Sequence, residues 1–506
     1  EVTDVIQIGT QLVVVGNFTN YRGTAINRVA RINNDGTLDG TFTPPNNTVI
    51  NGQVNSVAVD GDGFLYIGGQ FNNGTQDYVM RLQANGALDA GFVTTAIDAS
   101  VRSVIAIGTD VIAVGDFTAP FNRVVRLNSA GGLVAGFAPG TGFSGGNFAS
   151  AVVLDGTHLI IGGDFSDYNG QTVNRIARID AGTALRDDVF RGNTGTAFNG
   201  DVLTLEVVGN NVLVGGNFTQ FNGAARGRIA RVRAGGSGGT RGQIDPGFVT
   251  GAAGFDAAVN SISVDAAGRI IAGGGFLNYA GTARNNIARL LTGGGIDVLF
   301  NPGTGFNNTV NKVLNQADGK LVVGGRFMTY NTTSSRGRIA RFAYASSAYI
   351  VGRTFYEATA NDGSSATELT VELGPAPPTA PLDLEEWTGA VANGADFTLG
   401  VHYSVTGVPA GMAMAIQKTS NKIATLRLTG NAAAHANIND VVDGITVTWL
   451  NAALLGNNAA GVENLNTATT RYSVDFRDPA NAMYSGTTFD EAAANNGSVP
   501  TVRTIT

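Results

Sequence analysis

Short runs of alternating apolar and polar residues, typical of half-buried β-strands, recur seven times in the first two thirds of the chain. In each recurrence one run ends in Gly-x-Phe, and a later run carries an arginine between apolar residues. The phenylalanines are Phe18, Phe71, Phe117, Phe165, Phe218, Phe276 and Phe327. They are 53, 46, 48, 53, 58 and 51 residues apart, a period that fits one small antiparallel sheet per repeat. We therefore predict an all-β fold in which residues 1–347 form a seven-bladed β-propeller.

The second repeat shows how the alternation divides one blade into strands. Residues 54–59, 64–71 and 78–82 are three alternating runs, and Leu88-Asp89-x-x-Phe92 closes the unit, which predicts three or four short strands. Most repeats also contain a tight aromatic-x-Gly turn between the phenylalanine and the arginine. The second and third repeats lack this turn, so we expect shorter hairpins there.

The recurrent arginine needs a partner, because a cation on a half-buried strand must find acceptors. The arginines are Arg31, Arg81, Arg126, Arg178, Arg231, Arg289 and Arg341. Five of six closing segments place an aspartate three residues before their phenylalanine, and Val134 takes that position in the other. The aspartates are Asp39, Asp89, Asp187, Asp245 and Asp297. We predict a structural bridge from each arginine to the aspartate or to a backbone carbonyl within the blade.

The seventh repeat ends after Arg341 without a Leu-Asp-x-x-Phe segment, so one blade lacks its closing strand. The pattern leaves two sources open for that strand. Chain upstream of Glu1 could supply it, or residues 348–351 could do so.

Beyond residue 347 the repeat disappears and longer alternating runs follow. We predict an antiparallel β-sandwich over residues 348–487. The opening Thr354-Phe355-x-Glu357 returns 134 residues later at Thr488, so residues 488–506 are expected to be the first strands of a further, truncated sandwich or a donated strand. Four apolar residues would carry such a donation. They are Phe489, Val499, Val502 and Ile505.

Composition narrows the functional classes. The 506 residues include 71 Gly but only 13 Pro, and 43% are apolar, which indicates a turn-rich β protein and not a disordered chain. A net charge of −7 without a basic stripe argues against nucleic-acid binding. The sequence has no cysteine, which excludes disulfides and thiolate chemistry. No apolar run approaches the length of a membrane span, and the start at Glu1 without Met suggests a processed or partial chain.

Candidate chemistry is sparse. Residues 142–146 match G-x-S-x-G around Ser144, but the strand-turn-helix context of a nucleophile elbow is missing. His158, His402 and His435 lie far apart in the sequence, which disfavours a zinc site or a catalytic triad.

Calcium is the one cofactor for which the sequence offers oxygen ligands. The candidates are Asp60, Asp62, Glu357 and Asp362. The Asp-Gly turns of this chain explain most of these positions without a metal.

The segment Ile161-Gly162-Gly163-Asp164-Phe165, followed by Asn174-Arg175-Ile176-Ala177-Arg178, resembles the delta-60 repeat family of bacterial β-propeller modules. The resemblance covers residues 1–345, and it implies a large secreted or surface-displayed bacterial protein with no established catalytic residues to transfer. The remainder is similar to the immunoglobulin-like or cadherin-like tandem modules of such proteins.

Together these patterns favour a non-enzymatic extracellular scaffold or adhesion protein without a cofactor. In this interpretation the propeller is displayed on a stalk or fibre of sandwich modules that self-associates, and strand donation could polymerise it. A propeller lectin that binds surface glycans or another small ligand is the alternative, and a cluster of exposed aromatic side chains would favour it. A hydrolase or lyase in the central channel is a remote third possibility. No nucleic-acid partner and no membrane insertion are expected.

Overall fold

A computed structural model describes residues 1–475 except 95–96, 191–196, 236–239, 249–253, 266–267, 298–299, 301, 318, 332–333, 336, 343–345, 359, 361, 376–389, 421–422, 435–438 and 454–470. The chain divides into two compact units, and the second begins at Ser346. The described residues contain many β-strands and no α-helix.

The first unit is built of seven three-stranded antiparallel sheets, which we number 1 to 7 along the chain. In every sheet the second strand lies between the first and the third. The first strands are Val2–Ile8, Val54–Val59, Val101–Ile107, Ala149–Asp155, Val202–Val208, Val259–Val264 and Val310–Asn315. The second strands are Gln11–Gly16, Leu65–Gly69, Asp110–Gly115, His158–Gly163, Asn211–Gly216, Ile270–Gly274 and Leu321–Gly325. The third strands are Val29–Ile32, Val79–Leu82, Val124–Leu127, Ile176–Asp180, Ile229–Arg233, Ile287–Leu290 and Ile339–Phe342.

The glycines of the second strands let neighbouring sheets approach closely. An added Cβ on Gly68 would lie 2.5 Å from a methyl carbon of Val101 in the next sheet, and one on Gly162 would lie 2.3 Å from Val202. On Gly324 of sheet 7 it would lie 2.5 Å from Val2 of sheet 1. Because real Cβ contacts are never this short, the Gly-Gly pattern sets the spacing between sheets.

Side chains of the first strands bond to the backbone of the next sheet's first strand. At the second position of the strand, Nδ2 of Asn55 donates to the Val101 carbonyl over 2.8 Å, and Nδ2 of Asn311 donates to the Val2 carbonyl over 2.9 Å. At the third position, Asp4 and Ser56 accept from the N–H groups of Val57 and Val104. Since Asn311 belongs to sheet 7 and Val2 to sheet 1, the series of sheets closes on itself.

Small elements connect the main strands. Two-residue strands form short hairpins in repeats 1, 4, 5, 6 and 7. These strands are Asn20–Tyr21, Thr24–Ala25, Asp167–Tyr168, Gln171–Thr172, Gln220–Phe221, Ala224–Ala225, Asn278–Tyr279, Thr282–Ala283, Thr329–Tyr330 and Ser334–Ser335. A further strand, Phe143–Ser144, pairs with Asp167–Tyr168. The closing segments are held by single bridges such as Leu82↔Leu88 instead of a fourth strand.

The second unit contains two four-stranded sheets whose buried residues form one hydrophobic core. One sheet has the order Ser346–Val351, Glu368–Pro375, Ile423–Gly430 and Met412–Lys418. The other has the order Thr354–Tyr356, Arg471–Asp475, Val441–Trp449 and Tyr403–Thr406. A 3₁₀ turn, Asn451–Ala453, follows the strand Val441–Trp449.

Two sequence-based expectations differ from this arrangement. Residues 348–351 do not close sheet 7, because the strand Ser346–Val351 belongs to a sheet of the second unit. The second unit is also not purely antiparallel, since Thr354–Tyr356 pairs in parallel with Arg471–Asp475. A parallel pair joins strands far apart in sequence, which alternation cannot reveal.

Candidate functional site

The recurrent arginines and the predicted aspartates lie together as ion pairs inside the sheets. Nε of Arg31 is 2.7 Å from Oδ2 of Asp39, and the matching distance from Arg289 to Asp297 is 2.8 Å. Three further arginines pair with the predicted aspartates at nitrogen to oxygen distances of 2.5 to 2.9 Å, two through Nε and Arg178 through Nη1, while Nε of Arg178 bonds Asp155. They are Arg81 with Asp89, Arg178 with Asp187, and Arg231 with Asp245.

Two arginines have other partners. Arg126, whose repeat has Val134 in place of the aspartate, pairs with Asp110 at 2.7 Å. Arg341 of the seventh repeat donates from Nη1 to Oδ1 of Asn34 over 2.8 Å and also bonds the Asn34 carbonyl in sheet 1. Among the described residues, Arg341 has no carboxylate within ion-pair distance.

Five of the seven arginines, Arg31, Arg81, Arg126, Arg231 and Arg341, also bond to the turn that follows the third strand of the next sheet. Nη1 of Arg31 donates to the Ala84 carbonyl over 2.6 Å, and Nη1 of Arg231 donates to the Thr292 carbonyl over 2.6 Å. Arg126 makes the same bond to Ala181 over 2.7 Å. The guanidinium of Arg31, like that of Arg231, therefore joins the closing segment of its own repeat to the turn of the next sheet.

The closing phenylalanines complete these ties. The guanidinium carbon of Arg31 lies 4.8 Å from the ring centroid of Phe42, and that of Arg289 lies 5.1 Å from Phe300. Cation–π contact of this kind adds to the ion pair, most of all where water is excluded. Arg289 is completely buried, so its charge is compensated entirely from within the protein.

Hydrogen bonds set the charge state of the first aspartate. The hydroxyl and the backbone N–H of Thr41 donate to Oδ1 of Asp39 over 2.7 and 2.9 Å, and Arg31 bonds the other oxygen. In that order of importance, these donors hold the pKa of Asp39 well below its ordinary value. Asp39 is consequently a fixed anion and no candidate for proton transfer.

Sequence reasoning missed a second recurrent position just before each third strand. All seven residues there have a positive φ, between 55° and 74°. They are Arg28, Tyr78, Arg123, Arg175, Arg228, Asn286 and Arg338. Arg28 donates from Nη1 to the Ile50 carbonyl of the following connection over 2.8 Å, and Arg228 bonds the Phe255 carbonyl in the same way. The signal was present as an arginine three residues before the recurrent one.

The calcium candidates serve turns. Oδ1 of Asp60 accepts the N–H groups of Asp62 and Phe64 over 3.0 and 2.9 Å, and the buried Glu357 accepts the N–H of Gly363 over 2.6 Å. Oδ1 of Asp362 accepts the N–H of Ser364 over 3.0 Å. Hydrogen bonds from the hydroxyl and then from the N–H of Ser364 hold the pKa of Asp362 below its ordinary value. The described residues contain no group of three or more His, Cys, Asp and Glu side chains arranged to hold a metal.

The other candidates are also separated. The Ser144 hydroxyl donates to Asp167 over 3.1 Å within the small pairing of Phe143–Ser144 with Asp167–Tyr168, and no helix follows it. His158 begins a second strand, and Nδ1 of His402 accepts the N–H of Thr398 over 2.9 Å. His435 and the donation candidates Phe489, Val499, Val502 and Ile505 lie outside the described residues.

Comparison with known proteins gives the class of the first unit. The model of a β-propeller family, the domain of unknown function DUF5122, matches six segments of the chain. The segments are residues 11–42, 61–92, 158–182, 210–238, 268–300 and 316–343. The sheets and this match together define the first unit as a β-propeller domain. No curated protein matches the chain.

Solved structures with a similar arrangement include two of the extracellular domain of the regulatory system BT4673 from B. thetaiotaomicron, which is described as a hybrid two-component system in one and as a one-component system in the other. One, of a hybrid two-component system, has a TM-score of 0.43 and 13% identity over 74% of this chain and 44% of its own. The other, of a one-component system, has a TM-score of 0.42 and 12% identity over 83% of this chain. This chain therefore spans 44% and 51% of the length of those proteins. The computationally designed Ika8 protein matches with a TM-score of 0.37 and 12% identity over 74% of this chain and 96% of its own.

In the parts of the second unit and the propeller domain that are described, no helix has the length and hydropathy needed to cross a bilayer.

Proposed function

We propose that this chain is a non-enzymatic extracellular scaffold or adhesion protein. A seven-bladed propeller is carried by immunoglobulin-like sandwich modules and serves as a rigid platform, with self-association or neighbouring modules as its partners. The proposal depends on one observation, which is that the recurrent arginines form ion pairs inside their own repeats. A ring of arginines at one strand position could have lined a binding face, but six of the seven pair with a carboxylate of their own repeat.

Strand donation is the sharper form of this proposal. A strand is stable only when its backbone groups are paired, so residues 488–506 would add to a sheet of a neighbouring subunit. The apolar residues Phe489, Val499, Val502 and Ile505 would supply the contacts that fix its register.

Imaging of the purified full chain tests the proposal. We expect subunits joined end to end, in filaments that shorten when a synthetic peptide of residues 488–506 is added in excess. A scrambled peptide of the same composition is the control. Monomers at all concentrations, with no adhesion to bacterial or glycan-coated surfaces, would contradict the scaffold role.

The lectin alternative receives less support. Glycan sites usually present exposed aromatic rings, and every described aromatic side chain of the first unit is buried or half-buried. Trp449 is buried in the second unit, and Trp387 lies outside the described residues. Saturable glycan binding by the full chain would reverse this preference.

A further inference from the structure

Charge is distributed unequally around the propeller domain. Residues 1–200, which include sheets 1 to 4, contain 11 Arg and Lys and 17 Asp and Glu, a net charge of −6. Residues 201–345, which include sheets 5 to 7, contain 14 Arg and Lys and 7 Asp and Glu, a net charge of +7. Because an ion pair is neutral, the pairs inside the sheets leave this difference in place.

The two groups of sheets form two arcs of one ring. Consecutive sheets contact each other through their first strands, and sheet 7 contacts sheet 1 in the same way. We call sheets 1 to 4 the acidic arc and sheets 5 to 7 the basic arc. Two oppositely charged arcs on one domain create a field that a partner of complementary charge distribution can recognise.

Both arcs present their turns at one end of the sheets. The first and third strands of a sheet run in the same direction, since both are antiparallel to the second. The turns between first and second strands therefore lie beside the turns that follow the third strands. In sheet 4, for example, the N–H of Ala181 donates to the Thr157 carbonyl over 2.9 Å. We call this end of the ring, with both sets of turns, the turn face.

Charges on the turn face differ in sign between the arcs. The exposed acidic side chains of the acidic arc are Asp35, Asp62 and Asp188. The half-buried basic side chains of the basic arc are Arg233, Arg241 and Lys320. Among the described residues, Asp62 and Arg233 have no ion-pair partner, whereas Asp188 pairs with Arg186 and Arg241 pairs with Asp187. Pairs this close to solvent contribute little to stability, so these side chains can take other partners.

Exposed leucines accompany these charges on the turn face. Leu133, Leu154 and Leu185 of sheets 3 and 4 are 43%, 40% and 68% exposed, and Leu291 of sheet 6 is 48% exposed. Two of these leucines stand where other repeats have small or polar residues. The turn hydrogen bonds equate Leu185 with Thr37, Ala87 and Gly132, and Leu291 with Asn33, Gln83 and Asn128. Apolar side chains surrounded by charges are the composition of a protein interface.

A second copy of this chain is the partner that matches both arcs. The net charges of the arcs are nearly equal and opposite, so the basic arc of one copy complements the acidic arc of another. If two turn faces meet about a twofold axis, both basic arcs lie over acidic arcs at once. A partner with one sign of charge, such as a polyanion, would be attracted by one arc and repelled by the other.

We propose that two copies of this chain associate through the turn faces of their propeller domains, with the basic arc of each copy against the acidic arc of the other. The exposed leucines supply the apolar contacts, and the charges fix the orientation. This contact goes beyond the scaffold role and does not depend on strand donation by residues 488–506.

Sedimentation velocity of the full chain tests the association. An excess of free peptide of residues 488–506 is present throughout, so that strand donation between subunits does not contribute. At about 50 mM salt we expect dimers at micromolar concentrations. Salt at about 0.5 M should weaken the association roughly tenfold or more, because it screens charges across the interface.

Charge-reversed variants test the pairing of the arcs. One variant carries Arg233→Glu and Lys320→Glu in the basic arc, and the other carries Asp62→Arg and Asp188→Arg in the acidic arc. Each variant alone should associate at least roughly tenfold more weakly, since both contacts of its dimer become repulsive. An equimolar mixture should form heterodimers with affinity close to that of the wild-type chain, because both contacts of the mixed dimer are again attractive.

Matched controls separate this surface from general effects of charge and hydropathy. Leu185→Ser should weaken the dimer, whereas Leu277→Ser, which replaces a leucine that is 54% exposed on a hairpin at the other end of the sheets, should not. Arg102→Gln, at the second position of a first strand and away from the turn face, should also leave the association unchanged. Thermal unfolding of each variant shows that the fold is retained.

Three results would overturn the proposal. They are a monomer at low salt, association that high salt does not weaken, and failure of the mixed variants to regain association. Wild-type monomers that bind heparin or vesicles of anionic lipid would assign the basic arc to a polyanion instead. The peptide of residues 488–506 does not touch the arcs, so this proposal and strand donation fail separately.

Discussion

The interfaces between sheets 6 and 7 and between sheets 7 and 1 use the same strand positions but different fillings. In both, valines of one sheet occupy the space left by glycines of the preceding sheet, as Val310 does over Gly273 and Val2 does over Gly324. Both interfaces also have a hydrogen bond between first strands, from Asn260 and from Asn311. The first interface adds Phe300 and Phe306, which lie between the third strand of sheet 6 and the first strand of sheet 7, and the second adds the bonds of Arg341 to Asn34. The strand contacts are therefore common to the two interfaces, and Phe300 and Phe306 enlarge the apolar core of the first.

The largest difference should appear when aromatic residues are truncated. Phe306→Ala removes a ring packed against three other rings and should lower the free energy of unfolding by about 3–5 kcal/mol. Phe18→Ala, at the interface between sheets 7 and 1, removes a ring that is only half-buried and should lower the free energy of unfolding by less than half as much. Urea unfolding followed by fluorescence measures both. Equal losses would mean that the two interfaces are filled alike.

The second comparison concerns charge. Asp297→Asn removes the carboxylate that pairs with the fully buried guanidinium of Arg289, and it should destabilise the domain by about 3–5 kcal/mol. Arg341→Gln removes a half-buried cation whose bond to Asn34 is exposed, and it should change stability by about 1 kcal/mol or less. Thermal unfolding at several salt concentrations checks the pair, since only the exposed contact should respond to screening.

A smaller effect is expected from the hydrogen bonds between first strands. Asn311→Ala and Asn260→Ala each remove a side-chain bond to a carbonyl of the next sheet, from sheet 7 to sheet 1 and from sheet 6 to sheet 7. Each should cost about 1 kcal/mol. If Asn311→Ala costs several times more than Asn260→Ala, closure of the ring depends on this bond more than the contact of sheets 6 and 7 depends on its equivalent.

The smallest effect is a change in acid stability. Because the folded pKa of Asp39 is lowered, its stabilising contribution is complete above the unfolded value of about 3.9 and is lost as the pH falls towards the folded pKa. Asp39→Asn should flatten the loss of stability below about pH 4. Arg31→Gln should retain most of that pH dependence, since Thr41 is the larger cause. If Asp39→Asn loses stability below about pH 4 as steeply as the wild-type chain, Asp39 is not the source of this pH dependence.

The periodic part of the architecture could be predicted from the sequence, and the rest could not. Repeats of Gly-x-Phe and arginine reveal one sheet per period, because each sheet satisfies the same packing and pairing needs. The partner Asp110 of Arg126 was missed because it lies on a neighbouring strand and not at the repeated spacing. The sequence signals a difference at the interface between sheets 7 and 1 only by the missing Leu-Asp-x-x-Phe after Arg341, and the geometry of this interface depends on contacts between residues more than 300 apart, such as Asn311 with Val2.

The positive φ at the residue before each third strand could not be predicted from the sequence either. Arg28 and Asn286 share this conformation although their side chains differ, so the local sequence gives a weak signal. Tertiary acceptors such as the Ile50 carbonyl decide it instead.

The bonds from Asn55 and Asn311 end on carbonyl oxygens, and those of Ser56 and Asp4 begin at peptide nitrogens. A peptide group is present at these positions whatever side chain a mutation introduces. The sequence of a sheet can therefore change while its hydrogen bonds to the preceding sheet remain. The third repeat, in which the family model matches no segment, is held by Asn55 and Ser56 in this way. Such side-chain-to-peptide attachment lets evolution exchange or diverge individual units of the ring while its geometry is inherited intact.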